Sequence, residues 1–275
     1  MAMDQSFDDE EEGKMSFLDH LEVLRWHLIR IVIALMIGAI AAFVFKSFVF
    51  DVIVLAPAHN SFLTYQLFCQ LSEFLNLKRA LCFDDLTFNL VNLTMAGQFS
   101  MHLIVSFIAG IILAFPYILF EVWRFIKPAL KIGESNYARG LVFWGSFLFI
   151  SGVLFGYYMI TPLSVQFLGG YSVSEMIVNQ ISLKSYISTV TTITLSTGLI
   201  FQLPILVYFL SKIGIVTPKL MKAYRRHAII AVLLLSGLIT PPDLTSQVLV
   251  SLPLLLLYEV SILISKMVEK KGEKS

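Results

Sequence analysis

Residues 98–120 read QFSMHLIVSFIAGIILAFPYILF. Not one Asp, Glu, Lys or Arg occurs in them, and the only titratable side chains are His102 and Tyr117. Crossing the ~30 Å hydrocarbon layer of a bilayer takes about 20 mostly apolar residues in helical form, because lipid offers no water to solvate a charge or an open backbone group. This stretch has that length and that composition, so it predicts a membrane-spanning helix.

Five further candidates lie around it. One runs from Leu28 to Phe50 with Arg30 and Lys46 near its ends. Others occupy the windows between Arg139 and Glu175 and between Lys184 and Lys212. The last two, Ala228 to Thr240 and Leu244 to Ser265, are separated only by Pro241-Pro242-Asp243. Composition agrees: 57% of the 275 residues are hydrophobic and 14% charged, against about 45–50% and about 25% in soluble domains. The fold class read from this is all-α and polytopic, with six transmembrane helices and both termini cytoplasmic. A five-span arrangement, with the last two segments as a re-entrant hairpin, stays open because they are short.

Charge sets the orientation. In the six-span reading, Lys14, Arg25, Arg30, Arg124, Lys127, Lys131, Arg139, Lys212, Lys219, Lys222, Arg225, Arg226, Lys266, Lys270, Lys271 and Lys274 all fall on one side. Only Lys46, Lys78, Arg79 and Lys184 fall on the other, out of 20 basic residues. An excess of Lys and Arg marks the cytoplasmic face. The acidic start, Asp8 to Glu12, is unlike the basic start of a cleavable signal peptide, so targeting is expected from the first span. Residues 1–14 are expected to be an acidic disordered extension, 15–266 the membrane domain and 267–275 a basic cytoplasmic tail. Phe17, Leu21, Leu24 and Leu28 share one helix face and predict an interfacial amphipathic helix before the first span.

Little points to an enzyme. Gly13-Lys14 lacks the upstream glycine of a phosphate-binding loop, and no His or Cys pair has zinc spacing. No cofactor and no metal are expected. A net charge of +1 gives no field to hold nucleic acid. Cys69 and Cys82 fall in the long outside loop 51–97, where thiols are oxidised; a disulfide and two independent cysteines both remain open.

Four stretches carry a family resemblance. Asp19-His20-Leu21-Glu22-Val23-Leu24-Arg25 precedes the first span. Phe120-Glu121-Val122-Trp123-Arg124-Phe125-Ile126-Lys127-Pro128-Ala129-Leu130 follows the second, with Glu134 beyond. Phe201-Gln202-Leu203-Pro204 lies in the fourth, and Thr240-Pro241-Pro242-Asp243-Leu244-Thr245-Ser246-Gln247 joins the fifth to the sixth. Together they resemble the TatC family, the multispan subunit of the twin-arginine protein translocase.

The resemblance implies a receptor in the cell inner membrane. It would bind signal peptides with two consecutive arginines on its cytoplasmic face. It would also recruit small single-span subunits of the TatA/TatB type, sit as a homo-oligomer in a larger complex, contact membrane lipid, and export folded proteins using the proton-motive force. The rival reading is a secondary transporter or channel for a small solute. An arginine fork pairs best with a carboxylate. The family places one carboxylate after Pro-Ala-Leu, which Glu134 matches, and a second before Leu-Arg, where this chain has Val23. Glu22 or Asp19 would then take its place, Glu22 being favoured for its longer side chain, or the pair would be held by one strong contact. Arg25, Trp123 and Phe125 belong to the same implied binding site. Gln202 stands where the family often has glutamate; it serves either an intrachain hydrogen bond or partner docking. Asp243 is expected to cap the last helix, with a functional role that could coexist. Pro57, Pro128, Pro241 and Pro242 are read as structural.

Overall fold

The computed structural model describes residues 17–74, 82, 89–126, 138–174, 179–239 and 244–272. Glu134, Pro128, Pro241, Pro242 and Asp243 lie outside them, as does the segment 1–14.

Helix α1, Phe17–Val44, runs unbroken through the residues expected to form a separate interfacial helix. The reason is local: neither Gly nor Pro occurs between Phe17 and Ile37, so nothing stops the helix at the membrane surface. A π-helical turn, Phe48–Val54, a 3-10 turn, Ala56–Ala58, and helix α2, Leu63–Phe74, follow. Strand β1, Asn89–Val91, precedes α3, Gly97–Ile126. At 30 residues α3 is about 45 Å long, so Glu121 to Ile126, which the sequence reading set after the second span, form its last turns. Helices α4, Ala138–Phe155, and α5, Thr161–Gly170, join through a π-helical turn, Gly156–Ile160. After β2, Gln180–Ser182, come α6, Leu183–Ile200, and α7, Leu203–Lys212, with Phe201 and Gln202 forming a turn ahead of Pro204. Helices α8, Pro218–Ala223, α9, Arg225–Ile239, and α10, Leu244–Gly272, complete the described chain.

Among the described residues, five segments are long and apolar enough to cross a membrane: Leu21–Val44, Gly97–Ile126, Gly140–Gly170, Leu183–Lys212 and Val250–Lys270. These make the protein a polytopic, α-helical membrane protein. Helix α9 has 15 residues, about 22 Å, and falls short of the ~30 Å layer.

The outward-facing exposure of Val32, Ile33, Ile37, Leu113 and Phe147 suits lipid contact. Inside, α1 and α3 cross closely. A Cβ placed on Gly110 would lie 2.7 Å from the Ala39 nitrogen and 2.8 Å from the Leu35 oxygen; one on Gly38 would lie 3.1 Å from the Gly110 Cα. Small residues let helix backbones meet where lipid supplies no hydrophobic drive.

One end of the helices is capped. The buried Tyr65 hydroxyl lies 2.9 Å from the Pro57 carbonyl and 3.1 Å from that of Pro162, and can donate to either. Burial pushes this phenol above its ordinary range. Pro57 is fully buried. The Tyr186 hydroxyl donates to Val54 O at 2.9 Å. β1 and β2 pair in parallel with Leu90 opposite Ile181, which the sequence did not announce because three-residue strands are too short to show alternation. Cys69 and Cys82 are joined by a disulfide. Such a bond, closing a loop of 13 residues, contributes about 3 kcal/mol in the chain-entropy account. A membrane-impermeant maleimide is expected to label neither cysteine on intact cells until a reductant is added. Labelling of both without reductant would rule the bond out of the cellular protein.

Candidate functional site: a buried carboxylate between two helix ends

Helices α1 and α3 are antiparallel neighbours. Phe43 stacks on His102 with ring centroids 4.0 Å apart at one end, and His27 meets Glu121 at the other. The N-terminal turns of α1 and the C-terminal turns of α3 therefore lie together.

Glu121 is 1% exposed. A buried carboxylate is tolerated only with partners for its charge and lone pairs, and three side chains supply them. Tyr117, one turn earlier in α3, donates its hydroxyl to Oε1 at 2.8 Å. His27 Nδ1 contacts Oε2, and Arg30 Nη1 stands 3.9 Å from the same oxygen. Helical spacing accounts for the convergence. Tyr117, Glu121 and Phe125 recur every four residues on α3, and His27 and Arg30 are three apart on α1, so each set shares a face. The Phe125 ring sits edge-on to His27 at 6.0 Å. His27 is buried, whereas the Arg30 side chain is 44% exposed. The group is thus a closed polar joint with one arginine reaching outward.

The other site candidates distribute around this joint. Glu22 and Arg25 are exposed on α1, and Val23 is half-buried. Asp19 lies within α1, its side chain outside the described residues. Trp123 is buried and packs on Phe209 of α7 with centroids 4.9 Å apart, so it ties α3 to α7. Its Nε1 has no hydrogen-bond partner among the described residues. Gln202 belongs to a different contact: its Nε2 donates to Gly145 O on α4 at 3.0 Å, across the break between α6 and α7. Its Oε1 is buried without a hydrogen-bond partner among the described residues.

Sequence reasoning quoted Glu121 without assigning it a role. The available signal was an acid at the end of the long uncharged run 86–120 with a tyrosine one turn before it, and a His and an Arg three apart at the preceding span. Among the described residues no group of three or more His, Cys, Asp or Glu is placed to hold a metal.

Comparison with known proteins adds a family to this geometry. The model of the TatC family, Sec-independent protein translocase protein (TatC), matches residues 19–253. The Sec-independent protein translocase protein TatC of Blattabacterium sp. subsp. Periplaneta americana (strain BPLAN) is 40% identical over 262 residues, 95% of this chain and 98% of the relative. TatCy of Bacillus subtilis (strain 168) is 34% identical over 264 residues, 96% of this chain and 93% of its own length. A solved structure described as the crystal structure of the twin arginine translocase receptor TatC superposes with a TM-score of 0.69 at 32% identity, over 91% of this chain and 99% of that one. With a matching family model over most of its length, full-length relatives and a shared architecture of apolar spans, this chain belongs to the TatC family of Sec-independent protein translocases.

Proposed function

We propose that this chain is the signal-peptide receptor and core membrane subunit of a twin-arginine translocase, exporting folded proteins across the cell inner membrane with the proton-motive force. The observation that carries the reading is the match along 91% of the chain to the twin arginine translocase receptor. In this reading the chain crosses the membrane six times with both ends inside, α9 and α10 forming the last pair. It works with small single-span subunits of the TatA/TatB type, as a homo-oligomer within a larger complex. The rival, a transporter or channel for a small solute, finds no support in the relatives named above.

The binding surface is the end of the molecule where α1 begins and residues 127–137 connect α3 to α4. Glu134 takes one arginine of the signal peptide. Glu22, exposed on α1, is free to take the other, while half-buried Val23 leaves that position without charge. The His27–Glu121 joint fixes the start of α1, which carries Glu22, against the end of α3.

Titration of a twin-arginine peptide into the purified protein tests this. A hydrogen bond to a charged group contributes about 1.5–3 kcal/mol, so Glu134→Ala is expected to weaken binding at least about tenfold. A twin-lysine peptide should bind more weakly than the twin-arginine one. Val23→Glu should tighten binding if the second carboxylate is missing; if Glu22 already serves, the gain is small and Glu22→Gln shows the loss. Unchanged affinity in Glu134→Ala would remove that residue from the site.

A further inference from the structure

The last helices show how deep their basic ends lie. Near the turn, Gln247 Nε2 donates to Leu233 O at 3.0 Å, which sets the antiparallel register of α9 and α10. At the opposite end Arg225 pairs with Glu259, and the Tyr258 hydroxyl donates to Met221 O at 2.8 Å. These contacts agree: α9 begins level with Tyr258 and Glu259 of α10. Helices α7 and α10 run on further together, with the Ser211 hydroxyl bonded to that of Ser265 at 2.8 Å, followed by Lys212 and Lys266. From Glu259 to Lys266 the helix rises about 10 Å. The basic boundary of the molecule therefore steps inward by about 10 Å at the start of α9.

Lys222, Arg226 and His227 are exposed at this step. The sequence carries no Asp or Glu between Glu175 and Asp243, and Glu259 is already engaged by Arg225. Beside the cations, Leu220, Tyr224, Ile229 and Ile230 are also exposed, from 40% to 58%. Cations set deeper than their neighbours and flanked by bare apolar side chains suit a ligand that is anionic at one end and hydrocarbon at the other. Free phosphate meets only the first requirement. We propose that the junction of α8 and α9 binds the headgroup of an anionic phospholipid through Lys222 and Arg226, with His227 beside them as a hydrogen-bonding group and the acyl chains along Ile229 and Ile230.

The test uses the full chain in nanodiscs containing phosphatidylglycerol and phosphatidylcholine, with the lipid retained on re-extraction into detergent counted by mass spectrometry. The wild-type chain should retain phosphatidylglycerol in preference. A basic residue near an anionic surface contributes about 1 kcal/mol, so Lys222→Gln/Arg226→Gln/His227→Gln should lower the preference at least about tenfold. Lys266→Gln/Lys270→Gln, which removes charge at the end of α10, should leave it unchanged. If the triple variant does not elute as a single species, Arg226→Gln alone should show a loss of about fivefold. Equal retention of the two lipids by the wild type, an equal loss in the Lys266/Lys270 variant, or displacement of the lipid by inorganic phosphate would each overturn the assignment.

Discussion

Glu121→Ala is expected to destabilise the folded protein by about 1–3 kcal/mol, the usual cost of leaving a buried hydrogen-bonding group without its partner. The carboxylate is 1% exposed and His27 is 7% exposed, so deleting it strands an imidazole in an apolar setting with Arg30 beside it and no anion between them. Tyr117 loses its acceptor at the same time. A denaturation series in detergent, followed by circular dichroism, reads the loss. The pairing account makes a second demand: His27→Leu/Glu121→Leu should recover much of what Glu121→Leu alone loses, because an apolar pair of similar volume removes both stranded groups. Simple additivity of the two substitutions would show that the pair does not act as a unit.

The α1–α3 crossing gives an effect of similar size by a different mechanism. At Gly110 a Cβ would meet the Ala39 nitrogen and the Leu35 oxygen at 2.7 and 2.8 Å. These are backbone atoms and cannot rotate away, so any side chain must push the helices apart. Overpacking typically costs about 1–3 kcal/mol. Gly110→Leu should exceed that range and prevent recovery of monodisperse protein, with Gly110→Ala intermediate. Gly140, where an added Cβ meets nothing within 4 Å, is the control. There alanine is expected to be neutral or to stabilise by up to about 1 kcal/mol through helix propensity alone. Equal yields of Gly110→Leu and wild type would mean that the close crossing is not maintained in detergent.

The spans were legible because a bilayer imposes one requirement, a long uncharged helix, and residues 98–120 display it without interruption. The ends of the spans were less legible. The sequence marks a boundary where charge begins, yet α3 carries on through Glu121 and Arg124 because neither residue breaks a helix and because Tyr117, His27 and Arg30 satisfy the acid. A polar residue is a boundary signal only when it has no partner, and partners on another helix cannot be seen in a linear reading. The same reasoning explains the short elements of the cap. The pairing of Asn89–Val91 with Gln180–Ser182 brings Leu90 and Ile181 against the buried cluster of Val54 and Tyr186, and the helix Leu63–Phe74 is tied to Pro57 and Pro162 through Tyr65; these are long-range contacts that a linear reading does not show. The motif stretches were easier to place than to interpret. Trp123 belongs to a specific pattern, but the pattern does not say that its ring turns inward onto Phe209.

The joints between α1 and α3 also bear on the order in which the molecule is made. The contacts of His27 with Glu121, of Gly38 with Gly110 and of Phe43 with His102 all lie within the first 126 residues. None of them waits for a later helix. A nascent chain that has delivered α3 to the membrane already holds a self-sufficient hairpin, whereas the residues that follow take roughly 7–30 s to emerge at about 5–20 residues per second. The partners of Glu121 are therefore in hand before the ribosome finishes. Helices α4, α6 and α7 then arrive at a platform whose buried carboxylate already has its partners, and the insertion machinery is spared from sheltering it.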